Sequence, residues 1–315
     1  MPLAICIKKR QNEERDHFAP IAPKHGKEET ALNNQKRIAA IHDISCFGKC
    51  SLTVALPILS AAGIETSVIP TAVLSTHTGG FTGYTYRDLT EDIPAIQNHW
   101  RSLGLRFDGL YTGFLGSFEQ LKLVAGLIDD FKEENTLVLI DPVMADNGSL
   151  YKGFTSDFPK GMAALCRKAD VIVPNITEAA LLTETPYREG PYTRQYIEEL
   201  LKRLSNLVNG KVVLTGVCFD EINLGAATYD TKTGEIAYTL SPRVEGLYHG
   251  TGDIFASALL GALLNGFALS EAAGIAVDFT LGSIRRTKEA GTDVRYGVNF
   301  EYGIPQFVRA LGLIK

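Results

Sequence analysis

The chain has no Cys-x-x-Cys pair, and its five cysteines, at positions 6, 46, 50, 166 and 218, are sparse and odd in number. That argues against a disulfide framework and a structural zinc site, and fits a reducing compartment. Cys46 and Cys50, four apart, read as two small, half-buried residues. No stretch of 18 residues runs free of charges or of clustered polar and glycine residues, so no transmembrane helix is expected. Positive charge is not in surplus. The 31 Lys and Arg against 36 Asp and Glu leave a formal charge of −5, where a nucleic-acid binder shows a basic excess. Walker A is missing too: Gly26-Lys27, Gly48-Lys49 and Gly210-Lys211 lack both the preceding glycine and the following Ser or Thr. No Gly-x-Gly-x-x-Gly opens a helix after the first strand, and His-Glu-x-x-His and Gly-x-Ser-x-Gly are absent. P-loop, dinucleotide-dependent, zincin and serine-hydrolase chemistry therefore have no support.

What is present is a large apolar fraction, 45% of 315 residues, enough for one sizeable α/β core. Residues 1–36 stand apart, with twelve charges, three prolines and no apolar periodicity, and read as a disordered or loosely attached extension. The charged KKR follows the apolar PLAICI there, the wrong order for a secretory signal. From residue 37 short apolar runs alternate with helical patterns. Strands are expected at 37–42, 64–72, 109–114, 136–142, 170–175 and 211–216. Helices are expected near 51–62, 88–102, 117–132, 190–209, 251–266, 270–287 and 299–312, and a hairpin over 225–242. Strands that are apolar throughout and separated by helices predict an α/β fold, three layers with a mostly parallel sheet covered on both faces. Ligands then bind beyond the carboxyl ends of the strands.

Three strand ends carry chemistry. Gly250-Thr251-Gly252-Asp253 precedes a helix apolar on nearly all sides. A glycine turn opening a buried helix presents free N–H groups and a positive dipole end, which together make an anion site. Asp253 in its first turn could take a proton from a hydroxyl attacking a phosphate, although capping is the commoner role for an Asp so placed. Ile140-Asp141-Pro142-Val143 ends a strand with the carboxylate aimed into the crevice, and Val173-Pro174-Asn175-Ile176-Thr177-Glu178 ends another. Asp141, Asn175 and Glu178 are hard oxygen donors suited to Mg²⁺ or its waters when phosphates complete the shell.

This combination of DPV, VPN-x-x-E, VVLTG and GTGD before an apolar helix resembles the ribokinase superfamily. Within it the chain is most similar to the pyridoxal/pyridoxamine (vitamin B6) kinases. His42-Asp43-Ile44-Ser45 with Phe47-Gly48-Lys49-Cys50-Ser51 takes the place of that family's first substrate loop. Ser75-Thr76-His77-Thr78-Gly79-Gly80 resembles its NHT signature, and Thr112-Gly113-Phe114-Leu115-Gly116 its TGY turn. The resemblance spans about 37–312 and implies a ribokinase-like α/β/α kinase domain over 37–315. It implies transfer of the ATP γ-phosphate to the 5′-hydroxymethyl of a pyridine vitamer. Asp253 would be the base, and the amides of Gly250, Thr251 and Gly252 would steady the phosphoryl group. His42, Ser45, His77, Thr78 and Phe114 would line the pyridine pocket. Asp141, Tyr151, Asn175, Thr215 and Gly216 would attend ATP, and Asp141, Asn175 and Glu178 would manage Mg²⁺. A monovalent cation is left open. The implied partners are the vitamer and ATP, with no nucleic acid and no membrane, in a cytoplasmic homodimer.

The chain departs from the pattern at His-Asp-Ile-Ser, at Phe114 in place of tyrosine, and at Ala145 in place of glycine. A hydroxymethylpyrimidine (phosphate) kinase is the nearest rival, but those enzymes commonly read GTGC and open with a longer glycine-rich loop. Sugar and nucleoside kinases carry an N-terminal twin glycine that is missing here. A non-catalytic B6 carrier on the same fold would have no need of Asp253. Glycines 79, 80 and 83 make the THTGGFTGY segment the expected lid or pocket edge.

Overall fold

The computed structural model describes residues 35–208 and 210–315. Apart from Gln35 and Lys36, the extension expected over 1–36 lies outside the described residues. The first apolar run becomes β1 (Arg37–Ser45), followed by α1 (Leu52–Ala61), β2 (Glu65–Leu74), β3 (Tyr86–Asp88) and α2 (Ile93–Ser102). Next come β4 (Gly109–Thr112), α3 (Phe118–Phe131), β5 (Leu137–Ile140), the short β6 (Ala145–Asp146) and β7 (Ser149–Leu150), and α4 (Phe158–Cys166). The chain continues through β8 (Val171–Ile172), α5 (Ile176–Leu182), α6 (Arg194–Leu204), β9 (Lys211–Val217), β10 (Asn223–Asp230) and β11 (Glu235–Pro242). It then forms α7 (Thr251–Leu264), α8 (Leu269–Ala290) and α9 (Ile304–Ala310).

Nine strands form one sheet in the order β11-β10-β9-β8-β5-β4-β1-β2-β3. The run from β2 to β9 is parallel, and antiparallel strands close both edges. The central parallel strands carry apolar runs, Ile38–Ile41, Leu137–Ile140 and Val212–Leu214, because both faces of the sheet are covered there. On one face Ala39, Ile41, Leu110, Val138 and Ile140 meet α3, α4 and α6 through residues such as Leu127, Met162 and Leu200. On the other, Ile38, Tyr111, Leu139 and Val213 meet α1, α7 and α8 through Ile58, Leu259 and Ala276. α7 is buried between layers, which is why its apolar residues show no single stripe.

Three departures from the sequence reading have local causes. β1 runs to Ser45 rather than stopping at 42, because β2 supplies partners as far as Leu74 across a bulge between His42 and Ile44. β3, in a stretch expected as loop and helix start, pairs antiparallel on the sheet edge. α2 then begins at Ile93 with Pro94 in its first turn, where a missing N–H costs nothing. α6 begins at Arg194 because the Thr193 hydroxyl accepts from the Tyr196 amide, capping it there.

The strand order reverses at β1, which has β2 on one side and β4 on the other. The carboxyl ends of β1 and β4 therefore flank the crevice in which ligands of such sheets sit.

Candidate active site

Two loops and one helix end meet at this crevice. Gly250, at φ +77° in the left-handed region, turns the chain into α7. A Cβ on it would drive into the Lys49 carbonyl oxygen, so loop 46–51 lies directly against the turn. That loop is pinned on both sides. The Cys46 and Phe47 amides donate to Leu74 O (2.8 Å) and Ser75 O (3.1 Å), and the Lys49 amide donates to Tyr296 O (3.1 Å). Lys49 Nζ donates to Val298 O (3.2 Å) and Asn299 Oδ1 (3.0 Å) and pairs with Glu301 (3.1 Å).

Asp253 does not cap its own helix. Its Oδ2 accepts the Ser51 amide at 2.9 Å, 202 residues away in sequence, and Oδ1 has no hydrogen bond among the described residues. The cap suggested by spacing alone is thus replaced by a long-range contact. Burial pushes the Asp253 carboxyl up to about 7, the Asp43 charge adds to this, and the Ser51 N–H opposes it. Asp43 is itself buried and raised, mainly by desolvation; it accepts the hydroxyls of Ser51 and Ser45.

Two residues expected to line the pyridine pocket are enclosed in the protein interior. His42 and Ser45 are wholly buried, because β1 runs through both with β2 paired alongside as far as Leu74. The Ser45 hydroxyl donates to Asp43 Oδ2 at 3.2 Å. The His42 ring packs edge-on to Tyr111 at 4.3 Å, neither ring nitrogen has a partner, and burial lowers it to about 3, so it is neutral. A Cβ at Gly113 would overlap that ring. Gly113→Ala is therefore expected to destabilise the fold by ~1–3 kcal/mol, seen as a lower Tm; an unchanged melt would mean that His42 has room to move.

The other pocket candidates sit at the rim. His77 Nε2 donates to Arg295 O at 2.6 Å and Nδ1 accepts the Gly79 amide at 3.1 Å, which fixes the tautomer, since a carbonyl only accepts. Its ring lies 5.3 Å from that of His249, beside the GTGD turn, and 5.0 Å from Phe81. Thr78 is exposed, and Phe114 is half-buried, tilted 5.7 Å from Phe154. Phe47, Phe81 and Tyr296 complete an aromatic lip: Phe47 lies edge-on to Tyr296 at 5.1 Å, and Phe81 stacks parallel to Tyr296 at 6.5 Å. The sequence reading missed Tyr296, Arg295 and the pinning role of Lys49, because residues 295–301 carry no motif.

At the next strand ends, Asn175 and Glu178 form a capping box on α5. Asn175 Oδ1 accepts the Glu178 amide and Glu178 Oε2 accepts the Asn175 amide, each at 2.9 Å. Glu178 Oε1 also accepts the Met144 amide (3.1 Å), and Asn175 Nδ2 donates to Ala145 O (2.8 Å). The pair staples the loop after β5 to α5. The side chains of Asn175 and Glu178, two of the expected Mg²⁺ set, are thus both engaged within the protein, and no group of three or more His, Cys, Asp or Glu converges to hold a metal among the described residues. Burial pushes Glu178 to about 8, against its amide donors. Asp141 is different: it is buried, accepts no hydrogen bond among the described residues, and is pushed well up by burial and then by the Glu178 and Asp253 charges. Tyr151, partly exposed, has its phenol raised by burial and by four neighbouring carboxylates. Thr215 is tied to Pro174 O through amide (3.0 Å) and hydroxyl (3.4 Å), beside an exposed Gly216 at φ +77°.

A model of the phosphomethylpyrimidine kinase family matches residues 57–298. The chain is 37% identical to a Bacteroides thetaiotaomicron protein provisionally named a phosphomethylpyrimidine kinase and crystallised with pyridoxal. The match covers 89% of this chain and 96% of that one, with a TM-score of 0.82. It is 32% identical to pyridoxal kinase from Lactobacillus plantarum, covering 88% and 98% of the two chains, with a TM-score of 0.81. The pyridoxal kinase of Dictyostelium discoideum is 26% identical over 250 residues, 72% of this chain and 78% of that one.

Proposed function

Since the chain belongs to the phosphomethylpyrimidine kinase family of ribokinase-like proteins, we propose that residues 37–315 act as a single kinase domain that phosphorylates the 5′-hydroxymethyl group of pyridoxal, pyridoxamine or pyridoxine from ATP. The observation that carries this reading is Asp253. It is a carboxylate with one oxygen held by the Ser51 amide and the other unengaged, at the mouth of a buried helix, poised near neutrality. A base so placed takes the proton of the attacking hydroxyl as the O–P bond forms. The amides of Gly250, Thr251 and Gly252 and the α7 dipole stabilise the charge that develops on the transferring phosphoryl group. Phe47, Phe81 and Tyr296 form an aromatic lip beside the loop 46–51, and Thr78, His77 and Phe114 offer the rim for a planar ring.

Asp141 fits a divalent cation, as a buried hard oxygen donor whose carboxyl accepts no hydrogen bond among the described residues and which a cation would hold ionised. Mg²⁺, when bound there or through its waters, would neutralise the phosphate oxygens of ATP. Tyr151, Thr215 and Gly216 border the same side. The resemblance carries a homodimer in the cytoplasm with it; among the described residues no helix is long and apolar enough to cross a membrane.

The second reading, hydroxymethylpyrimidine phosphorylation, is favoured by the matching family's own description. Against it stand Asp253 at the fourth position of the GTGD turn and the B6 relatives. A side-by-side panel with Mg-ATP decides between them. Pyridoxal, pyridoxamine or pyridoxine is expected to be phosphorylated faster than hydroxymethylpyrimidine; the reverse order overturns the proposal, and no turnover with either points to a carrier.

A further inference from the structure

Ser51 breaks two local rules at once. It is a non-glycine residue at φ 55°, ψ −130°, backbone space that glycine fills far more readily. It also stands at the N-cap of α1, where a serine hydroxyl ordinarily accepts an amide of the first turn, yet it makes no such cap. The hydroxyl turns the other way and donates to Asp43 Oδ1, while Ser45 donates to Oδ2. With the side chain tethered and the backbone in this unusual state, the Ser51 N–H points across the crevice at Asp253 Oδ2, 2.9 Å away. Asp43 is 5% exposed, and both of its carboxylate oxygens are taken up by the two serine hydroxyls.

We propose that Asp43 is a positioning residue for phosphoryl transfer. By tethering Ser51 it aims the Ser51 amide at Oδ2 of Asp253 and so leaves Oδ1 facing the substrate hydroxyl. This rests on Asp253 being the base, and the test separates the two. Asp43→Ala is expected to lower kcat by about 10- to 100-fold, the scale of a slightly misplaced reacting group, while KM for vitamer and ATP shifts less than about threefold. Ser51→Ala is expected to fall by a similar factor, and the double variant no further than the worse single one, since the two act in series. Asp43→Asn, whose carbonyl oxygen still accepts the Ser51 hydroxyl, is expected to restore most of kcat.

The deciding measurement is Asp43→Ala in an Asp253→Asn background, where kcat is expected to change by less than about twofold. An equal loss in both backgrounds would make Asp43 a general structural support and overturn the proposal. So would a raised KM at constant kcat. If Asp253→Asn alone keeps near-normal turnover, the base assignment has failed and this proposal falls with it for a separate, visible reason. Should Asp43→Ala not fold, Ser51→Gly answers the same question: glycine accepts the backbone angles but lacks the tether, and it is expected to lose kcat as Ser51→Ala does, with retained kcat overturning the proposal.

Discussion

Replacing Asp253 with asparagine is expected to cut kcat by about 10²–10⁴-fold while leaving ATP binding within about threefold of normal. The amide keeps the shape and can still accept the Ser51 N–H through its oxygen, but it cannot take a proton. The wild-type kcat/KM should fall about tenfold per pH unit below the point near 7 to which burial raises this carboxyl, and the variant's residual rate should lose that limb. Stability moves the opposite way. The folded carboxyl titrates near 7 and the unfolded one near 3.8, so the cost of ionising it in the fold is absent below 3.8 and complete above 7. Asp253→Asn is therefore expected to melt higher than wild type at pH 8, and the gain is smaller at pH 5. Near-normal turnover would return Asp253 to a purely structural role, and a lower Tm at pH 8 would contradict the burial argument.

Gly250→Ala is expected to lose about 10²-fold in kcat and ~2–4 kcal/mol in stability. A left-handed φ of +77° is unfavourable for any residue with a Cβ, and the added methyl would meet the Lys49 carbonyl. That carbonyl cannot simply yield. Its residue is held by the Tyr296 carbonyl at the amide and by Val298, Asn299 and Glu301 at the side chain. The loop must shift as a body, taking the Ser51 amide away from Asp253. Gly252 is the internal comparison. It has open space around the same added atom and no left-handed φ, so Gly252→Ala should melt within about a degree of wild type, as a surface change does. Equal melting of the two alanine variants would mean the Gly250 turn can relax without strain.

The parallel core was legible because strands buried on both faces must be apolar at every position, as 38–41 and 137–140 are. The hairpin at β10 and β11 was legible from its turn residues. β3 was not, because Tyr86, Arg87 and Asp88 are all exposed on a sheet edge and alternate with nothing. α4 was missed because its nine residues offer only about two and a half turns of pattern. At the site, the GTGD turn and Asp141 stood out because glycine and proline punctuate strand ends. Ser45 was misplaced by one misjudged boundary: extending β1 by three residues takes it from the rim into the sheet, while His42, inside the expected strand, turns inward against Tyr111. Asn175 and Glu178 were read as ligands, but the same spacing of three is also a capping box, and both side chains are engaged in it. The aromatic lip could not be read at all, since Phe47 and Tyr296 meet only through tertiary structure.

The Lys49 anchor has a consequence for synthesis. Its partner Glu301 lies 252 residues further along the chain. At the ribosome's ~5–20 residues per second, the first substrate loop waits roughly 12–50 seconds for the segment that fastens it. The sheet around β1 can pair in that interval, because β2 and β4 follow closely. Through the interval the nascent protein carries a partly paired sheet, one face still waiting for α7 and α8, and an unfastened crevice, with Phe47 and Phe81 lacking the Tyr296 ring that later packs against them.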